Sequence, residues 1–100
     1  MMITFTLDLP KLSESQQIQL EEALLKVPRV DALALDDGSG RFSITTAEDN
    51  RVLRDTVAAL YGWASGHPGM VMQMKVVCPE KEVTLGKHSP NDVIYFLSTC

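Results

Sequence analysis

Ile3, Phe5, Leu7 and Leu9 fall on one side of an extended chain, with Thr4, Thr6 and Asp8 on the other. A period of two over β-prone residues predicts a half-buried strand. Pro10 ends it, because proline has no N–H to give to a ladder. Ser13 and Gln16 then form the pair of a capping box, in which each side chain bonds the other's backbone N–H. The helix they open carries Leu20, Ala23, Leu24 and Val27 on one face, and Pro28 closes it. Ile18 and Leu25, seven apart, fall on its opposite face and mark an outer apolar strip.

A second pair of strands follows. Val30, Leu33 and Leu35 are read as one side of a strand, and Phe42 and Ile44 resume an apolar face beyond the turn residues Asp36-Asp37-Gly38-Ser39-Gly40. Turn chemistry between two strand patterns predicts an antiparallel hairpin. Thr46-Ala47-Glu48-Asp49 opens a second helix, with a cap candidate and acids that favour the positive end of the helix dipole. Its inward stripe is Leu53, Val57, Leu60 and Ala64, and Gly66, Pro68 and Gly69 stop it. Met70 to Cys78 is a candidate fourth strand, with Met70, Met72, Met74 and Val76 sharing one side.

The tail, 79–100, is less regular. Val83-Thr84-Leu85 has the content of a short strand. Ser89-Pro90-Asn91-Asp92 reads as a helix start, with proline at the first helical position. The run Val93-Ile94-Tyr95-Phe96-Leu97 is β-branched and aromatic, which favours a strand, so both forms stay open. Either form needs covering, because the run is apolar on all sides.

The order strand, helix, strand, strand, helix, strand is that of a split βαβ unit. The expected class is therefore α+β: a ferredoxin-like βαββαβ sandwich, with two helices on one face of a four-stranded antiparallel sheet. The domain would span 1–78. The C-terminal extension, 79–100, would pack on that domain or on a partner subunit. Phe5, Leu7, Leu33, Leu35, Phe42 and Ile44 would point inward. Thr4, Thr6, Ala32, Ala34, Arg41, Ser43, Gln73 and Lys75 would form the other face, small and polar.

Composition narrows the function classes. With 100 residues the chain is the size of one domain, and its 45% apolar content suits a folded core. A net charge of −4 argues against a nucleic-acid surface. No apolar run approaches the roughly 18 residues that span a bilayer, and the first residues lack the layout of a signal peptide. Two cysteines, Cys78 and Cys100, are too few for a disulfide scaffold, which points to a reducing, cytoplasmic setting.

The stretch Leu20-Glu21-Glu22-Ala23-Leu24-Leu25-Lys26-Val27-Pro28-Arg29-Val30, continued through Leu33, Leu35, Gly40, Phe42 and Ile44, resembles the heavy-metal-associated domain family over roughly residues 2–64. In that family a helix ends in a leucine-proline-glycine-valine corner, followed by two strands joined by a glycine-bearing turn. The resemblance implies the ferredoxin-like fold and, in the family, a Cys-x-x-Cys metal site. That motif would fall at Ser13 and Gln16, neither of which is a soft-metal ligand, and Arg29 replaces the usual glycine. Cu(I) and Zn ask for thiolate or imidazole at such a site.

The chain therefore reads as a non-catalytic binding or protein-interaction module that has lost the metal site. No metal and no cofactor is expected. The alternatives are a copper-handling protein with displaced ligands at Met72, Met74 and Cys78, or a small-molecule-sensing domain of the ACT type. His67 and Met70 complete the soft-ligand cluster, but methionine at alternate strand positions usually fills a core. The acid pairs Asp36-Asp37 and Glu21-Glu22 read as turn chemistry and a solvated helix face. No phosphate loop or nucleophile constellation stands out. The Gly-rich loop of an acylphosphatase is missing after the first strand, and no sheet-face aromatics suggest RNA binding. The expected interaction residues are Ile18, Leu25, Ile94, Tyr95 and Phe96, meeting a protein partner or a second copy; neither nucleic acid nor membrane is expected.

Overall fold

The computed structural model describes residues 1–35 and 39–100, so the acidic turn Asp36-Asp37-Gly38 lies outside the described residues. These residues form five strands, β1 (Met2–Asp8), β2 (Val30–Ala34), β3 (Arg41–Ala47), β4 (Lys75–Cys78) and β5 (Lys81–Thr84), and three α-helices, α1 (Glu14–Leu25), α2 (Asn50–Ser65) and α3 (Pro90–Ser98). All pairings are antiparallel, in the order β2-β3-β1-β4-β5. The class is α+β, compatible with a ferredoxin-like fold, but the sheet has five strands where four were expected.

The local signals act as physical chemistry requires. Ser13 Oγ accepts the Gln16 N–H at 3.2 Å, and Gln16 Oε1 accepts the Ser13 N–H at 3.0 Å, so two N–H groups with no partner inside α1 are satisfied. Asp49 caps α2 by accepting the Arg51 N–H at 2.8 Å. Gly40, at φ +76°, passes close under the end of β1. A Cβ there would stand 2.6 Å from the Leu9 carbonyl oxygen, so only glycine fits.

The helices cover one face of the sheet. α1 lies against β2 and α2, while α3 lies against α2 and is joined to β4 by the Cys78–Cys100 disulfide. β2 and β4 stand on opposite sides of the central β3-β1 pair, so α2 runs between the other two helices. Its stripe Leu53, Val57, Leu60 and Ala64 is buried, and so are Val52, Thr56 and Trp63, because both flanks are covered. Phe5, Leu7, Phe42, Ile44, Met74 and Val76 meet these residues from the sheet, with Leu20 and Leu24 from α1 and Val93 and Leu97 from α3.

Three expectations are corrected. On β2 it is Ala32 and Ala34 that face inward, paired with Ile44 and Phe42, while Leu33 points to the open face and is 64% exposed. Alanine under α1 lets helix and strand approach closely, and the leucines of α1 fill the space. Met70–Met72 is a 3₁₀ turn rather than the start of a strand, and β4 begins only at Lys75. Lys81–Thr84 pairs along β4, and the apolar run after it is a helix seated against α2. The segment 79–100 therefore continues the same sheet and the same helix layer.

Candidate functional site

The turn before α1 is the first place to look, since the family resemblance puts a metal loop there. Ser13 and Gln16 each hold the other's backbone N–H and offer neither thiolate nor imidazole. The displaced set fares no better. Met74 is fully buried in the core, Met72 sits half-exposed on the 3₁₀ turn, and the Cys78 sulfur is bonded to Cys100. His67 stacks on Trp63 with ring centroids 4.1 Å apart, and its Nδ1 lies 2.8 Å from the Trp63 carbonyl oxygen. Among the described residues no group of three or more His, Cys, Asp or Glu is placed to hold a metal ion. The residues present do not fit a soft metal at either place. Cys78 and Cys100, expected to be too few for a disulfide scaffold and so to fit a reducing setting, are bonded to each other, which weakens that ground. No helix among the described residues is long and apolar enough to cross a membrane.

The five expected interaction residues lie on two separate helices. Ile18 and Leu25 are 48% and 47% exposed on the outer side of α1. Tyr95 is 73% exposed on α3, whereas Ile94 and Phe96 are half-buried and pack against the core. Since α1 and α3 flank α2 from opposite sides, these residues make two outward strips and not one patch. The run 93–97 docks on α2, away from the Ile18 and Leu25 strip and from the open sheet face.

The broad uncovered surface is the sheet face turned away from the helices. The register places Leu33, Ser43, Thr6, Val77 and Glu82 in one row across all five strands. Asp31, Thr45 and Thr4 form the next row, and the two threonine hydroxyls stand 3.0 Å apart. On the other side of the first row come Arg41, Asp8 and Lys75, followed by Thr84. Lys75 reaches Glu82 at 3.7 Å across the β4-β5 pair. Met2, 55% exposed, continues the face at the start of β1. The face is thus hydroxyl-lined at its centre, apolar at Leu33 and Met2, and nearly balanced in charge.

No family model, no curated protein and no solved structure matches this chain.

One groove lies apart from the open face, against the start of α1. It encloses about 370 Å³ between the end of β1, the start of α1 and the hairpin, and Lys11, Leu12, Gln17, Leu35, Arg41 and Phe42 are among its walls. Arg41 Nε donates to Ser39 Oγ at 2.9 Å, so this guanidinium is engaged beside the hairpin.

Sequence reading missed Tyr61. Its hydroxyl lies 2.8 Å from the Leu85 carbonyl oxygen and 3.0 Å from that of His88, bonding the segment that leads into α3. Burial, with the nearby Asp92 carboxylate, raises its pKa above the ordinary 10.0. The signal available was a tyrosine off the inward stripe of α2, a residue type that seeks a partner for its hydroxyl when partly buried.

Proposed function

We propose that this chain is a non-catalytic protein-interaction module on a ferredoxin-like frame, and that it self-associates through the open face of its sheet. The frame reading is supported by the β2-β3-β1-β4 order of the first four strands with α1 and α2 in the two crossovers, β5 and α3 being additions at the β4 edge. The kinship with heavy-metal-associated domains is supported by the corner Pro28-Arg29-Val30, where Arg29 takes φ +68° at the position the family gives to glycine. The polar groups with evident use are structural: the capping boxes hold helix ends, and Tyr61 holds backbone carbonyls.

The observation that carries the interaction reading is Leu33. It is a large apolar side chain exposed at the β2 edge of a face five strands wide that no helix of the described residues covers. That face carries two bases, Arg41 and Lys75, and three acids, Asp8, Asp31 and Glu82, so it contributes about −1 of a net charge of −4. Two copies can meet there without much like-charge repulsion, and a two-fold axis makes such a contact self-complementary. Light scattering of the full chain is expected to give the mass of a dimer. Leu33→Lys should return a monomer whose melting temperature no longer depends on concentration and matches that of the wild type diluted to single chains, since an exposed side chain adds little to the fold of one chain. A wild-type mass of one chain at high concentration, or a dimer untouched by the lysine, would defeat the reading.

A further inference from the structure

The structure seats α3 between two fastenings. At its start, the Tyr61 hydroxyl bonds the Leu85 and His88 carbonyls just before the Ser89 cap. At its end, Cys100 is bonded to Cys78. Between them α3 buries only Val93 and Leu97 completely, and Tyr95 stands in solvent. The helix is nine residues long, shorter than the ~12–15 residues at which an isolated helix becomes even marginally stable in water. No basic residue in its last turn complements the helix dipole. Its order therefore depends on docking and on what holds its ends. The two residues also differ in exposure: Cys78 is buried on β4 facing the helix layer, while Cys100 is exposed.

We propose that the Cys78–Cys100 bond is a redox clasp on α3, opened by a dithiol reductant to release the helix from α2 while the sheet stays folded. The thiolate of the dithiol attacks the sulfur of Cys100, the more exposed residue of the pair. The S–S bond breaks, Cys78 leaves as a thiolate and takes a proton, and a mixed disulfide remains on Cys100. The second thiol of the donor then attacks the donor's own sulfur in that mixed disulfide. Cys100 leaves as a thiol, and the donor ends as a cyclic disulfide. The protein has gained two electrons and two protons, and the donor has lost them. Without the bond, the closed loop of β5, the segment leading into α3 and α3 itself regains its chain entropy, so openings of α3 become more frequent. An opened α3 exposes Val93, Leu97 and the flank of α2 they cover. The clasp lies on the helix side of the sheet, so it stands apart from the self-association of the open face.

Amide hydrogen exchange of the full chain, oxidised and then reduced with dithiothreitol, tests this. On reduction, amides of residues 91–100 should exchange at least about tenfold faster, while those of β1 and β3 keep their protection. Cys100→Ser should show the reduced pattern with or without the dithiol. Three results would overturn the clasp. The helix could keep its protection within about twofold, held by packing alone. Protection could fall equally everywhere, which would make the bond a staple of the whole fold. Or thiol titration could find two free thiols after treatment with oxidised glutathione.

Discussion

Arg29 is the one non-glycine with positive φ among the described residues, at +68°. An L-residue with a Cβ pays roughly 1–2 kcal/mol in the left-handed region. What holds it there is the corner itself: Pro28 stops α1, and the Arg29 carbonyl accepts the Ala47 N–H at 3.2 Å where β2 begins beside β3. The Arg29–Asp49 contact of 3.6 Å is solvent-exposed and adds little. Arg29→Gly is therefore expected to stabilise the fold by up to about 1 kcal/mol, and Arg29→Val to destabilise it by at least that much. Urea midpoints of the three proteins check the order, and a glycine variant weaker than wild type would contradict it. The same corner shows what single residues reveal. Pro28 and Ser13 were legible because each acts on its own backbone neighbours. The facing of β2 was not legible, since Ala32 and Ala34 alternate as cleanly as Leu33 and Leu35. The deciding clue was Asp31, which shares the side of Leu33 and so belongs on the open face.

At the scale of elements, α1 was readable because cap and apolar period agree, and α2 by its apolar period. The start of α2 falls later than the Thr46-Ala47-Glu48-Asp49 reading, because Thr46 and Ala47 still pair in β3 and Asp49 is the cap. The helix α3 was ambiguous because its capping box competes with a β-branched and aromatic run, and burial against α2 decides the contest. Met70–Met74 looked like a strand by alternation, but Gly69 at φ +80° turns the chain and Met70–Met72 closes a 3₁₀ turn. The joint between α2 and α3 is the Tyr61 hydroxyl, and it gives a pH dependence with a definite sign. Its folded pKa is raised, so folding favours the protonated phenol. That stability is fully present below the unfolded value of 10.0 and is lost as pH rises through the higher folded value. Tyr61→Phe is expected to cost about 1 kcal/mol at neutral pH, the scale of a lost hydrogen bond. It should also flatten the stability curve above pH 10, the onset set by the unfolded phenol. Thermal melts of both proteins between neutral and strongly alkaline pH decide it, and parallel curves would show that the phenol is not the titrating joint.

For the molecule as a whole, the frame was legible through two periodicities in the right order, whereas the way β5 and α3 extend it at the β4 edge was not. Val83 and Thr84 were legible as part of a short strand, but Lys81-Glu82-Val83-Thr84 has one clear apolar residue, too little to show that it pairs along β4 as a fifth strand. The disulfide escaped because pairing two distant cysteines depends on α3 bringing the chain end back to β4. This addition has a measurable weight. Val93 and Leu97 are fully buried, worth roughly 1.5–3 kcal/mol each before the entropy of ordering α3 is subtracted. The bond spans 22 residues, and its loss frees the unfolded chain by about 3 kcal/mol at most in practice. The inner ladder β2-β3-β1-β4 with α1 and α2 keeps its own core of Leu7, Leu20, Ile44, Leu53 and Leu60. Deleting residues 90–100 should thus cost a net ~2–4 kcal/mol, lowering the melting midpoint by about 10–30 °C. The remaining chain should still melt in one cooperative step, since the inner ladder does not need α3 to close. An unchanged midpoint would mean that α3 adds nothing to the fold. A truncated chain with no cooperative transition would mean that α3 cannot open without the whole sheet.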